Sequence, residues 1–166
     1  MTSHLSWLPE PLQYSDFGGD WDKFLSAIYG VFQRDFKQCR PSYGGRPVVH
    51  NTHIEHGKEK GFWHLIQRDA PDAYDRLPDL RRCERITWAK PIIENSSDQA
   101  ISIWKKTVRR RRTRVLIWVE ALNYLVVLEE RSSAFFLVTA YCTDIESHRR
   151  RLRNERNNYL RQQKPP

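Results

Sequence analysis

The sequence predicts an α+β domain in which N-terminal helices pack on a four-stranded antiparallel β-meander, followed by a basic C-terminal helix. Apolar residues recur every three to four positions near the N-terminus, and four short β-branched or aromatic runs follow one another after residue 100. With 166 residues the chain can bury a core without disulfides or metal. We assign residues 1–143 to one domain, with an irregular arm at 1–19 and a catalytic-like core at 50–143, and residues 144–166 to a basic helix and tail.

The first predicted helix follows Asp20, whose side chain is a candidate N-cap. Its apolar positions fall on one face that would point into the core. They are Trp21, Phe24, Leu25, Ile28, Val31, Phe32 and Phe36. The stretch "RPSYGGRP" ends this helix.

Two further helices are expected before the sheet. Residues 58–69 place Lys60, His64 and Arg68 along one stripe, with apolar residues opposite. Residues 77–95 form another helix, bent at Pro91. From residue 101, "ISIWKKTV", "TRVLIWVEA", "YLVVLEER" and "AFFLVTAY" predict the four strands, with connections short enough for hairpins.

The last helix should begin with a capping box, in which Thr143 is followed three residues later by Glu146. It is rich in arginine and has a thin apolar stripe of Ile145, Leu152 and Tyr159. That stripe would dock on a partner if the chain were a protein-interaction module.

Charge is concentrated in the C-terminal part of the chain. Residues 99–166 hold 15 of the 28 Lys and Arg but only 6 of the 20 Asp and Glu, whereas residues 1–98 are nearly neutral. This asymmetry is typical of nucleic-acid binding. We predict that the binding surface consists of Lys105, Lys106, Arg109, Arg110, Arg111, Arg112, Arg114, Arg149, Arg150 and Arg151.

Other features argue against several classes of protein. The three cysteines are far apart and odd in number, which does not support a disulfide framework or a cysteine-based zinc site. The first residues lack the pattern of a secretory signal, and the apolar runs are too short to span a bilayer. We expect a cytoplasmic protein without a membrane partner.

The stretch "HNTHIEHGKEKGFWHLIQR", residues 50–68, holds four of the six histidines together with lysine and arginine. RNA can be cut without metal when its 2′-hydroxyl attacks the adjacent phosphorus. That reaction needs a base, an acid and cations, and histidine serves as either proton carrier near neutral pH. The alternative is a polar surface with structural histidines. A zinc site at His50, His53 and His56 is a third interpretation, although no cysteine lies nearby.

A helical segment carrying "HIEHGKEKGFWHLIQR", followed by "RVLIWVEALNYLVVLEERSSAFFLVTAYCTD", resembles the barnase–EndoU–colicin–RelE (BECR) ribonuclease superfamily, in its phage- and toxin-associated forms. The resemblance covers about residues 50–143. It implies catalytic residues from the helix and from late strands of the sheet. Carried over to this chain, they are His53, His56, Lys60, His64, Arg68, Arg131, Thr139 and Tyr141, with Lys106 as an alternative sheet cation.

We therefore predict a metal-independent endoribonuclease without a cofactor, a toxin or phage-conflict protein that acts on RNA and pairs with a cognate antitoxin or immunity protein. Two alternatives remain open. One is a non-catalytic RNA- or DNA-binding protein that uses the basic face, and the other is the protein-interaction module.

Overall fold

The computed structural model describes residues 5–68 and 76–163 of the chain. Its α-helices are Trp21–Phe32 (α1), Lys60–Ile66 (α2), Leu80–Glu84 (α3), Ala89–Glu94 (α4) and Glu146–Gln163 (α5). Its strands are Ser42–Tyr43 (β1), Arg46–Val49 (β2), Ile54–Glu55 (β3), Lys58–Glu59 (β4), Ser102–Val108 (β5), Arg112–Val119 (β6), Tyr124–Glu130 (β7) and Phe135–Cys142 (β8). The α+β class predicted from the sequence is confirmed.

Six strands form the main sheet, in the order β1-β2-β8-β7-β6-β5. Neighbours from β5 to β8 are antiparallel and follow one another along the chain, as predicted. The pair β2 and β8 is parallel, with Val48 opposite Phe135. The sheet is therefore mixed.

The prediction of a four-stranded antiparallel meander is wrong in extent, because two short N-terminal strands extend the sheet beyond β8. The turn between β1 and β2 contains Gly44 and Gly45 at φ of 56° and 78°, a conformation that favours glycine. The sequence interpretation took this segment only as a helix breaker. A strand of four residues that includes a proline carries too little periodicity to be recognised alone.

Helix α1 forms as predicted, and its apolar face enters the main core. The Asp20 carboxylate accepts a hydrogen bond from the backbone N–H of Lys23 at 3.2 Å, which caps the helix. Phe24, Ile28 and Phe32 are fully buried. The chain then continues as a π-helix, Gln33–Gln38, which keeps Phe36 in the same core.

Residues 54–66 differ from the predicted helix at 58–69. The chain first makes a hairpin of β3 and β4, and only then forms the two-turn helix α2. Phe62, Leu65 and Ile66 are buried, as the apolar spacing predicted. Arg68 lies beyond the helix, so the expected stripe of three helical side chains does not form, and Asp69 is outside the described residues.

Two other local predictions are also corrected. The helix expected at 77–95 is divided into α3, a 3-10 turn at Ile86–Trp88 and α4. The break falls near Arg85, and Pro91 occupies the first turn of α4, where proline is tolerated. Thr143 does not cap α5, because its buried hydroxyl accepts a hydrogen bond from Trp118 Nε1 at 3.1 Å.

In the part of the chain that the structure describes, no helix combines the length and the apolar character that a membrane crossing requires.

Gly61 is the glycine with the least room for a side chain. A Cβ atom placed there would lie 2.8 Å from His50 Cβ, whereas one placed at Gly30 in α1 would meet no atom within 4 Å. Both glycines are helical, so an alanine at either position has the same intrinsic helix preference.

We predict that Gly61→Ala lowers the free energy of unfolding by about 1–3 kcal/mol because the new methyl group overpacks the core. Gly30→Ala, the matched control, should raise it by about 0.5–1 kcal/mol. Urea denaturation of both variants measures these changes. Equal stabilisation by the two substitutions would contradict the packing of His50 on α2.

Candidate active site

Helix α5 packs across the face of the sheet opposite the main core. A second apolar cluster joins it to the sheet, centred on Leu152, which is 2% exposed. Beneath Leu152 lie the indoles of Trp104 and Trp118, whose ring centroids are 6.0 Å apart. The helix that is richest in arginine is thus held to the sheet by apolar contacts.

One side of α5 is tied to the connection between β6 and β7. The Glu120 carboxylate accepts hydrogen bonds from Arg153 at 3.1 Å and from Arg156 at 2.8 Å. Arg149 donates to the backbone carbonyl of Thr143 at 3.1 Å. These arginines therefore serve to position the helix.

The opposite side of α5 borders a cleft of about 330 Å³ over β5, β6 and β8, which we call the central cleft. Four of its lining residues come from α5 and six from strands β5 to β8. Its polar lining comprises Lys106, Arg114, Thr139, Tyr141, His148, Arg151 and Glu155.

His148 stands at the centre of a chain of hydrogen bonds in this cleft. Arg151 lies with its guanidinium nitrogen 2.6 Å from His148 Nδ1, and Tyr141 Oη is 3.0 Å from Nε2. A guanidinium can only donate, so Nδ1 must accept. In a neutral imidazole the proton then resides on Nε2 and is donated to Tyr141, which leaves the tyrosine O–H as a donor.

The surroundings of His148 favour its neutral form. Burial lowers the pKa of His148 below its ordinary value of 6.5, and the charges of Arg151 and Lys106 lower it further, against an opposing effect of Glu155. The imidazole is therefore a proton acceptor at neutral pH.

Arg114 supplies a cation with one buried donor atom that lacks a partner among the described residues. That donor is its Nε atom. Glu129 faces Arg114 across the strands, but its carboxylate is bridged by Arg112 at 3.5 Å and by Arg131 at 3.6 Å. A buried donor without a partner is costly, so an anion in the cleft would be stabilised here.

Glu155 is the one carboxylate in the lining of the central cleft. It pairs with Lys106 Nζ at 3.2 Å and accepts a longer hydrogen bond from Trp104 Nε1 at 3.4 Å. Glu155 thereby holds Lys106 over the sheet.

Two of the predicted catalytic residues line this cleft. Thr139 and Tyr141 share one face of β8, opposite Val127 and Leu125. The Thr139 hydroxyl donates to the backbone carbonyl of His64 at 2.8 Å, which docks α2 against β8. The backbone of His64 therefore lies next to the cleft.

The other predicted residues are not gathered there. His53 and His56 are exposed near the β3–β4 hairpin, and Lys60 pairs with Glu55 at 3.2 Å. These side chains do not converge with the residues of the cleft, since residues 54–59 form a hairpin instead of the start of a helix. Their side chains are absent from the lining of the central cleft.

Arg68 lies beside the central cleft, whereas Arg131 follows the end of β7 and is outside the cleft lining. Arg68 pairs with Asp79 at 2.9 Å and lines a neighbouring cavity that also contains Tyr141 and His148. Arg131 stacks on the ring of Phe136, 4.1 Å from the centroid, in addition to its contact with Glu129.

His50 is a core residue. Its ring packs 4.9 Å from that of Phe32, and burial lowers the pKa of His50. Among residues 5–68 and 76–163, no three or more His, Cys, Asp or Glu side chains are arranged to hold a metal ion. The zinc interpretation of His50, His53 and His56 therefore finds no support in their placement.

The predicted nucleic-acid-binding residues do not form one surface. Arg109, Arg110, Arg111 and Arg112 are exposed at the tip of the β5–β6 hairpin, where Arg110 and Arg111 adopt φ of 61° and 56°. Lys106, Arg114 and Arg151 line the central cleft instead. Lys105 pairs with Glu130 at 3.4 Å, Arg150 is exposed, and Arg149 is held against the end of β8.

Sequence reasoning missed His148 and Glu155. The sequence carried no distinctive signal for them, because nearly every position of α5 is polar and a polar spacing of three and four therefore marks no single face. Of the apolar stripe that was identified, Ile145 is 69% exposed, and Leu152 and Tyr159 pack on the sheet.

Comparison of the chain with family models, with curated proteins and with solved structures found no match. The resemblance to the BECR superfamily accordingly stays a prediction from the sequence motifs.

We predict that the pKa of His148, followed by NMR titration of the imidazole, is below 6.5 in the wild-type protein and rises in Arg151→Gln. Removing the nearby cation stabilises the protonated ring, which gives the sign of the change. Arg150→Gln, on the exposed side of α5, is the control and should leave the titration unchanged. A pKa unaffected by Arg151→Gln would contradict the contact at Nδ1.

Proposed function

We propose that the protein is a metal-independent endoribonuclease and that the central cleft is its active site. The observation that carries the proposal is the convergence of an imidazole, a phenol and three cationic side chains on a cleft of about 330 Å³. These are the groups that attack by the 2′-hydroxyl of RNA requires. The proposed reaction class is the one predicted from the sequence. The proposed site is the central cleft, in place of the histidine segment at residues 50–68.

In this proposal, the phosphate is bound by Arg114, Arg151 and Lys106. The buried Nε of Arg114 offers a donor without a partner among the described residues. A bound phosphate would satisfy it and would meet the charges of Arg151 and Lys106 in the same cleft. Because negative charge grows on the phosphorane oxygens, these cations stabilise the transition state more than the substrate.

In this proposal, the protons are transferred by His148 and Tyr141. A phosphate that draws Arg151 towards itself exposes the lone pair of His148 Nδ1, which accepts the proton of the 2′-hydroxyl as its oxygen bonds to phosphorus. Nε2 gives its proton to Tyr141, and Tyr141 gives its own to the 5′-oxygen as the P–O5′ bond breaks. The imidazole stays neutral overall, and the products are a 2′,3′-cyclic phosphate and a 5′-hydroxyl.

The lining supports a route without a metal ion. Divalent cations in nucleases are held largely by several carboxylates, whereas the central cleft presents one carboxylate, Glu155, already paired with Lys106. The positive charge that a metal would supply is provided by side chains.

A toxin or phage-conflict role in the cytoplasm, with an antitoxin or immunity protein as partner, follows from the BECR resemblance and is part of the proposal. An inhibitor of such an enzyme would need to fill or cover the central cleft.

A second candidate is a non-catalytic nucleic-acid-binding protein. The exposed hairpin tip at Arg109, Arg110 and Arg111 favours it, since these guanidinium groups project where a phosphate backbone can reach them. This function needs the hairpin and does not need His148 or Tyr141.

We predict that the wild-type protein cuts end-labelled RNA in the presence of EDTA, leaving 2′,3′-cyclic phosphate ends, and does not cut the same sequence as DNA. His148→Ala and Tyr141→Phe should each lower the cleavage rate by about 10²–10⁴, the range for loss of a proton carrier. Arg114→Gln should lower it by about 10²–10³. The double variant His53→Ala/His56→Ala, which alters histidines outside the cleft, should cut like the wild type.

Cleavage that EDTA abolishes would overturn the metal-free mechanism. A loss of activity in the His53/His56 variant equal to that in His148→Ala would return the site to the histidine segment. RNA binding without any cleavage, weakened by replacing Arg109, Arg110 and Arg111 with glutamine, would favour the non-catalytic candidate.

A further inference from the structure

The central cleft is the middle part of a longer groove. A cavity of about 540 Å³ adjoins it at one end and shares Tyr141 and His148 with it. Another cavity of about 540 Å³ adjoins it at the other end and shares Lys106 and Glu155. The shared lining residues place the three cavities side by side along α5, and we call this row the α5 groove.

One face of α5 forms a wall of this groove from end to end. His148, Arg151, Glu155, Asn158 and Gln162 line it, at intervals of three and four residues. From His148 to Gln162 the helix rises about 21 Å at 1.5 Å per residue. At a stacked spacing of about 3.4 Å per nucleotide, that length matches about six nucleotides.

The chemistry of the groove changes along its length. Its centre is cationic, and the cavity at the C-terminal end of α5 combines Lys105 and Lys106 with the amides of Asn158, Gln162 and Gln163 and the ring of Tyr159. Tyr159 is partly buried against the cluster that contains Trp104. Carboxamides both donate and accept hydrogen bonds, as base edges do, and an aromatic ring offers a surface for base stacking.

We propose that the α5 groove binds single-stranded RNA and that the cavity at Asn158, Tyr159 and Gln162 is a subsite for a base flanking the scissile phosphate. The inference rests on the proposed function and adds its substrate class and a specificity subsite. A base-paired strand presents its edges to its complement and cannot offer them to the amides, so a duplex is a poor occupant.

The test measures binding separately from cleavage, with oligonucleotides that are 2′-O-methylated throughout and so cannot be cut by 2′-hydroxyl attack. Fluorescence anisotropy gives the Kd of the wild-type protein for a trimer, an octamer and an octamer duplex. The variant is Asn158→Ala/Gln162→Ala. Its matched control is Asn154→Ala/Asn157→Ala, which removes two amides from the same helix at exposed positions outside the groove lining.

We expect the octamer to bind the wild type at least about tenfold more tightly than the trimer or the duplex, since the longer strand reaches the end subsite. The Asn158/Gln162 variant should lose most of that gain and should keep the affinity of the trimer. The control should match the wild type. Octamers of a single base type should also differ in affinity, and the differences should shrink in the variant.

Equal affinity for trimer and octamer, or an octamer affinity untouched by Asn158→Ala/Gln162→Ala, would overturn the subsite. Equal affinity for the duplex would overturn the single-strand preference. These outcomes are separable from failure of the proposed function. A protein that does not cut unmodified RNA, yet shows the length dependence and its loss in the variant, keeps the groove as a binding site without the nuclease activity.

Discussion

The packing of Leu152 onto the indoles of Trp104 and Trp118 is the contact on which the candidate site depends. It places α5, a helix with many arginines, across an otherwise open sheet face. Burying a leucine side chain stabilises by about 1.5–3 kcal/mol, and aromatic pairs contribute further. Without this contact, residues 148, 151 and 155 would not lie against β6 and β8, and no cleft would exist.

Charge then decides which side of α5 is available to a ligand. On one side Glu120 pairs with Arg153 and Arg156, so those two arginines serve to hold the helix in place. On the other side the cations outnumber the carboxylates, and Arg114 keeps a buried donor without a partner in the described part of the chain. The asymmetry gives an anion one preferred place to bind. The same surplus of cations, together with burial, lowers the pKa of His148 and makes it a proton acceptor.

The parts of this fold that the sequence predicts are those governed by local pattern. The four runs of β5 to β8 and the buried face of α1 each satisfy a periodicity over several turns or residues. Strand β2 was missed because its pairing with β8 is set by a contact between Val48 and Phe135, which are distant in the chain. The helix predicted at 58–69 begins too early, because residues 58 and 59 belong to the β3–β4 hairpin.

The candidate site, like the fold, could be predicted only where a local sequence pattern determines it. Thr139 and Tyr141 could be placed on one sheet face from their spacing alone, and both line the cleft. Which basic element lies over that face depends on how α5 folds back, and nothing local in the sequence specifies it. A dense histidine segment was therefore preferred to the single His148. In the structure one of those histidines is in the core, and two are exposed near a hairpin.

A crystal structure of the protein with a 2′-deoxy oligonucleotide, which cannot be cleaved by this route, tests the central claim most directly. The account predicts a phosphate within hydrogen-bond distance of Arg114 Nε, with Arg151 turned from His148 Nδ1 towards that phosphate. An oligonucleotide held at the Arg109–Arg111 hairpin tip, with the cleft beside α5 unfilled and the Arg151–His148 contact unchanged, would contradict it.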